Sequence, residues 1–493
     1  MVITICTLLW AMVSLAPQGD GEKVQPPSES DFYEIVTIEI PEGIVLEVSG
    51  IAILPDGRPM VATRRGEVYL LDDAYDPEGR AEFKRIAEGL QEPLGLLVHE
   101  GWTYVGQRGE LSRMRDVDGD ERIDEIETIC DVWRVSGNYH EYLFGPRLGP
   151  DGNLWITTNK PFGGEPFGKA HWRGFALRIT PEGEMLPTCC GLRSPAGLET
   201  SPWGDVFYTD NQGEWCGASK LSHLEPGDFH GHPHGVFSCE LPEWTYEIPR
   251  NIPQRKLMPR VSEDVESFKL PAVWFPYDKM GKSPAGMVWD QSDGAFGPFA
   301  GQLFVSDQHH ASVMRVCLER VNGHWQGACF PFRYGFQCGI IRLAWGEDHS
   351  LFAGMTNRGW GGRGNSPYGL QRLIWTGEVP FEVHTMSARD DGFVLSFTRA
   401  VEEAGAADPT SYTLESYTYE LHPDYGSNEM DRQEPRIIGA EVSADAHSVR
   451  LTVEGLRPGY VHELHAKGVR AITGEALLHN EAYYTLIEIP ESE

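Results

Sequence analysis

The sequence predicts an all-β protein: a six-bladed β-propeller over residues 35–378, followed by an Ig-like β-sandwich over residues 379–493. Three observations predict it. Six segments repeat one strand–turn–strand grammar, turn residues recur at fixed places within them, and the composition shifts after Trp375-Thr376-Gly377. At 493 residues the chain exceeds what one hydrophobic core usually organises, and 41% hydrophobic residues with Gly 55 and Pro 34 describe a folded, turn-rich protein.

In chain order, residues 2–16 (VITICTLLWAMVSLA) form an apolar run that is short for a bilayer span and suits a signal-peptide core, with Ser14-Leu15-Ala16 as the cleavage site. Residues 1–18 are therefore expected to be a signal peptide and 19–34 a linker, giving a secreted or periplasmic protein with no membrane span after processing. The repeats start near Ser49, Glu92, Phe144, Ser194, Ser283 and Gly339. Each opens on a short apolar strand, turns through a Gly-containing corner and enters a second apolar strand, as the blades of a propeller do with a period of about 40 residues. Pro-Asp-Gly at 55–57 and 150–152 supplies a preset φ, an Asx acceptor and a residue tolerant of positive φ. Ser-Pro-Ala-Gly recurs at 194–197 and 283–286, which favours true repeats over a generic sandwich of hairpins. Beyond Gly377, segments such as GFVLSFT and SVRLTVEGL alternate apolar with polar residues, as half-buried antiparallel strands do. That region is expected to fold separately.

Loss of the leader removes Cys6 and leaves eight cysteines, an even number that predicts disulfides in an oxidising compartment. Cys317 and Cys329 flank the hairpin tip Val321-Asn322-Gly323 and are placed to face each other, while adjacent Cys189 and Cys190 need separate partners. No Cys-x-x-Cys-His is present for a c-type haem. The formal charge of −32 excludes a general nucleic-acid binder and an anionic membrane surface, and leaves neutral ligands such as sugars open.

One acidic loop has metal-ligand spacing. Asp116, Asp118, Asp120, Asp124 and Glu127 occupy positions 1, 3, 5, 9 and 12 of a loop that could wrap oxygens around Ca²⁺, with Glu121 at the sixth position, where glycine is common.

Three segments in order carry a resemblance over roughly residues 35–378: Asn138-Tyr139-His140 before FGPRLGPDGNLWITT, Gly191-Leu-Arg193-Ser-Pro-Ala-Gly197, and Gly339-Ile-Ile-Arg342. They resemble the soluble PQQ-dependent sugar dehydrogenase superfamily, and within it the secreted propellers known as putative membrane-bound dehydrogenases. The resemblance implies a secreted sugar or aldose dehydrogenase, with hydride transfer from a carbohydrate to a quinone. It implies His140 as the base, Arg193 and Arg342 as cofactor ligands, PQQ with Ca²⁺ as cofactors, and an exported electron-acceptor protein as partner. The sequence departs from that pattern at Ser194, where Asn is common, at Ile340, which replaces an arginine, and at Gly213-Glu-Trp-Cys-Gly217, which replaces an acidic loop. No lysine corresponding to the family's cofactor ligand stands near Asp307-Gln-His-His310.

A non-catalytic carbohydrate- or protein-binding propeller and a calcium-dependent lactonase-type hydrolase are the alternatives. His230, His232 and His234 read as a hydrogen-bonded turn before a metal site, and His309 and His310 lie after a blade strand. The Gly-rich run Thr356–Gly364 lacks the strand-to-helix setting and the Lys-Ser/Thr ending of a phosphate loop.

Overall fold

The computed structural model describes residues 27–163 and 169–492; the expected signal peptide, residues 1–18, lies outside the described residues together with Cys6. Antiparallel sheets of four strands follow one another along the chain. Their first strands are Val48–Ile53, Leu96–His99, Leu143–Leu148, Gly197–Thr200, Pro284–Trp289 and Ile340–Trp345. Each of these packs against the first strand of the next sheet, and Ile340–Trp345 returns to Val48–Ile53, so the first strands form a ring. The turns close as their chemistry dictates. Gly57 takes φ 88° while its N–H bonds Leu54 O at 2.9 Å, and Gly152 takes φ 78°.

The sixth sheet needs an early segment. Its three strands from Ile340 to Trp375 are completed by Tyr33–Thr37, paired Tyr33↔Trp375 through Thr37↔Gln371. The strand thus starts two residues inside the expected linker, because Tyr33 is buried against Phe296 and Phe332 and fixes the register.

The register at the ring has a plain cause in sequence. Aligning the repeats places Gly50, Gly95, Gly145, Gly197 and Gly286 at one position, and Arg342 at the sixth. A Cβ on Gly95 would sit 2.2 Å from Gly145 O, and one on Gly197 2.0 Å from Ala285 O. Neighbouring first strands therefore approach too closely there for a side chain.

The C-terminal region has its own core but shares a sheet with the preceding part of the chain. One of its sheets holds Val383–Arg389, Gly392–Phe397, Ser448–Glu454 and Arg436–Val442. The other, beginning at Glu481–Leu486, continues the fifth sheet: Gly327, Ala328 and Cys329 pair with Thr485, Tyr484 and Tyr483, making eight strands in all. Ala328 and Phe330 of the hairpin strand sit in the C-terminal core beside Phe393 and Tyr484. The sequence pattern marked the strands but not the unpaired edge that this hairpin offers.

No disulfide forms among the described cysteines; all eight are free. The register explains the failed pair. Cys317 opposes Ala328 and Cys329 opposes Val316, one position out of step, so strand alternation sends the two thiols to opposite faces. Cys329 joins the large core next to Trp274, whereas Cys317 packs on the C-terminal core.

Candidate functional site

His140, Arg193 and Arg342 line one cavity of about 280 Å³ at the ring of first strands. Its apolar floor comes from the residues just before the ring glycines and their sixth-sheet equivalent, including Leu94, Phe144, Ala285 and Ile341. Its walls carry Arg64, Arg193, Lys282 and Arg358, with Arg342 beneath; among the described residues no Asp or Glu lines it. Each wall cation is paired from outside the cavity, Arg64 with Glu92, Arg193 with Glu214, Lys282 with Asp278 and Arg358 with Glu47, so the wall offers N–H donors rather than an unanswered charge.

A repeated device aims these cations. The side chain ending the second strand of a sheet accepts from the backbone just before its first strand. Asp210 accepts from the N–H groups of Arg193 (3.0 Å) and Ser194 (2.7 Å), and Asp307 does the same for Lys282 (2.7 Å) and Ser283 (2.8 Å). Asn357 takes the corresponding N–H of Gly339 at 3.3 Å. Both carboxylates are fully buried, and burial raises Asp210 above the usual carboxylate range despite Lys220 nearby.

Arg193 is 5% exposed, and its Nε and Nη2 donate to Glu214 at 3.1 and 3.0 Å. Lys160 pairs with the same carboxylate. Burial alone would raise Glu214, but the charges of Arg193 and Lys160 hold it down to about 2. The Arg193 guanidinium lies over Phe162 and Tyr425, at 4.6 and 5.4 Å from the ring centroids. On the other side, Glu92 joins Arg64 to Arg108, and Arg108 donates to the carbonyls of Asn138 and Tyr139 at 2.9 Å.

The loop bearing His140 is held from within. Buried Glu141 accepts from the backbone N–H groups of Ser136, Gly137 and Asn138. Asn138 Oδ1 accepts from His140 N (3.0 Å) and Phe162 N (3.1 Å), which brings the Phe162 ring onto the imidazole at 4.4 Å and 28°. His140 is half-buried. Burial, then the charges of Arg193, Arg64 and Lys160, lower its pKa below the ordinary 6.5, so the imidazole is neutral at pH 7.

Arg342 occupies a different place from the other cations. It stands where the other repeats have glycine, and its guanidinium spans the ring. Nε donates to Ser49 O (2.9 Å), Nη1 to Ala196 O (3.1 Å) and Ile341 O (2.5 Å), and Nη2 to Leu94 O (2.6 Å). Four of its five N–H groups are thereby used by the protein. With no carboxylate beside it, burial pushes it down to about 9, helped by Arg147 and Arg64.

The acidic loop comes together in part. Oxygens of Asp116, Asp118 and Asp120 lie within 4.8 Å of one another. Asp124 instead accepts from Val117 N at 2.9 Å, and Glu127 lies on the strand Glu125–Cys130, paired with Arg113 at 2.6 Å. The strand begins at Glu125, two residues before Glu127, so the twelfth-position ligand lies on a sheet rather than in the cluster. His230 and His232 are buried, and His232 Nδ1 accepts from His234 N at 3.0 Å, the turn expected from sequence. His309 Nδ1 lies 2.9 Å from Gly361 O and His310 Nε2 lies 3.4 Å from Asp278.

Sequence reasoning missed Arg64, Lys282, Arg358 and Tyr425. For Lys282 the signal was present: a cation precedes Ser-Pro-Ala-Gly in both copies, as Arg193 and as Lys282. Tyr425 had none, since it reaches the cavity from the C-terminal region.

Comparison with known proteins places this architecture. The chain matches a family model described as a domain of unknown function (DUF7133) at residues 51–237. No curated protein matches it. A Trichoderma reesei structure of carbohydrate-active enzyme family AA12 aligns at TM-score 0.52 and 12% identity, over 73% of this chain and 100% of that one. The chain carries the β-propeller fold. A putative glucose dehydrogenase from Thermus thermophilus aligns at 0.48 and 21% identity over 69% of this chain and 100% of its own. The PQQ-bound aldose sugar dehydrogenase of Streptomyces coelicolor aligns at 0.47 and 16%, over 71% and 100%. At these identities the likeness concerns the fold alone. Among the described residues no helix is long and apolar enough to cross a membrane.

Proposed function

We propose that the protein is an exported, dehydrogenase-like propeller of six blades with an Ig-like C-terminal sandwich, and that its cavity holds an anionic quinone such as PQQ beside a sugar. The ring of first strands and the completion of the sixth sheet by Tyr33–Thr37 support the blade count. The two C-terminal sheets around their own core support the sandwich. The observation that carries the functional reading is the donor set: among the described residues, five cations line the cavity and no carboxylate does. A quinone bearing several carboxylates matches that set.

When bound, the quinone would supply the hydride acceptor. Arg193, Lys282 and Arg358 would hold its carboxylates; Arg342 contributes chiefly as the floor, with one N–H left to donate. Neutral His140 takes the proton from the sugar hydroxyl whose carbon gives up hydride, and the cations around it disfavour a lingering imidazolium, returning the proton to solvent. The cationic wall argues against a lactonase with a channel metal, because a divalent cation needs carboxylate or carbonyl oxygens turned inward. Calcium belongs to this reading at Asp116, Asp118 and Asp120, away from the chemistry.

The test measures PQQ binding by calorimetry, then dye reduction with a panel of aldoses. Micromolar binding that falls at least about tenfold in Arg193→Gln and in Lys282→Gln is expected. Absence of quinone binding, or binding indifferent to both variants, would leave a non-catalytic carbohydrate-binding propeller.

A further inference from the structure

A second concavity, of about 830 Å³, opens beside the cavity and shares Gln212 and Tyr425 with it. Most of its lining comes from residues 419–432 of the C-terminal region. This segment docks on the loop Gly213–Gly217, the stretch that departs from the acidic pattern of the resembling family. Gly426 N donates to Gly213 O at 3.0 Å, Ser427 N to Gly217 O at 2.8 Å, and Trp215 N to His422 O at 2.8 Å.

The charges of the groove are answered within the groove itself, by carboxylates of the same segment or its neighbours: Arg255 pairs with Asp424 at 2.7 Å, Arg432 with Glu429 at 2.5 Å, and Lys279 with Glu429 at 2.7 Å. What remains accessible to a ligand is uncharged: the amide of Asn428 and the rings of Tyr277 and Tyr425. Tyr425 is 56% exposed. The Tyr419 hydroxyl is buried without a hydrogen-bond partner. Exposed aromatics also gather at the cavity rim, where Trp360 is 43% and Tyr139 45% exposed and a Cβ on Gly359 would lie 3.8 Å from Tyr139 Oη.

Aromatic faces set among neutral donors and acceptors bind a ligand that is itself neutral, rich in hydroxyls and apolar on its ring faces. We propose that residues 419–430 build a subsite for the following sugar units of a neutral oligosaccharide whose terminal unit enters the cavity. The cavity reading above supplies the terminal unit, and the groove makes the preferred ligand a chain rather than a monosaccharide.

The test is calorimetric binding of glucose, cellotetraose and maltotetraose to the full protein without quinone or electron acceptor. One tetrasaccharide should bind at least about tenfold tighter than glucose, a gain of about 1.4 kcal/mol. Tyr277→Ala, outside the cavity, should abolish that gain and leave glucose affinity and melting temperature unchanged; Asn428→Ala should halve it or more. Equal affinity for glucose and both tetrasaccharides, no tetrasaccharide binding, or a preference that survives both substitutions overturns the subsite. Failure of dye reduction with the length preference intact would instead overturn the dehydrogenase reading alone.

Discussion

The cavity and the acidic loop at Asp116–Asp120 are electrostatic opposites, and they are stabilised in opposite ways. In the cavity, Arg64, Arg193 and Arg342 are buried, and two walls have a carboxylate behind them, Glu214 for Arg193 and Lys160, Glu92 for Arg64 and Arg108. In the loop, Asp118 and Asp120 face solvent, and the carboxylates serve the backbone: Asp116 accepts from Gly119 N and Glu121 N at 2.7 and 2.8 Å. Water screens the loop charges, whereas the cavity charges act at low dielectric. The lesson is that charges drawn from distant segments and paired from behind leave N–H donors for the cavity, while a contiguous run of charge is largely spent on its own turn.

The largest effect expected on this contrast is at Arg342. Arg342→Met removes the donor of four carbonyls at the ring, and should lower stability by about 3–5 kcal/mol, read as an earlier midpoint in urea. A loss under about 1 kcal/mol would mean that the ring does not depend on this guanidinium.

His140→Ala comes next, with an expected fall in turnover of about a hundredfold or more and little change in stability. The sign of the pH dependence follows from burial first and the surrounding cations second. Both lower the imidazole pKa, so the neutral base persists below pH 6.5 and activity should fall only at more acidic pH. Arg193→Gln removes one of those charges and should move the His140 titration, followed by NMR, back towards 6.5. A midpoint at or above 6.5 in the parent protein would show that solvent, not the cationic wall, sets it.

The smallest effect is expected at the loop. Asp118→Ala with Asp120→Ala should abolish calcium-dependent protection of residues 116–124 from proteolysis while leaving the cavity's quinone affinity unchanged within about twofold. Unaltered calcium stoichiometry would remove the metal from this loop.

How far the site was legible depends on where its partners lie in the chain. The repeats were readable because their turns and strands are local patterns, whereas His140 and Arg193 were picked out by resemblance, and the fold brings both to one cavity. Lys282 was readable in principle, since it repeats the place of Arg193 ahead of Ser-Pro-Ala-Gly. Glu127 was misplaced because the spacing of a calcium loop takes no account of Arg113 on the neighbouring strand. The disulfide between Cys317 and Cys329 failed on one residue of register, which no count of cysteines contains.

By itself, the sequence determined the all-β class, the order of the strands and the Pro-Asp-Gly corners, because backbone propensity and turn chemistry act over a few residues. Only the tertiary structure decided that Tyr33–Thr37 completes the last sheet, that the fifth sheet runs on into the C-terminal region, and that Tyr425 stands over Arg193. Those outcomes turn on unpaired strand edges and on charges meeting across hundreds of residues, and both are settled by what else is buried beside them once the ring of first strands has formed.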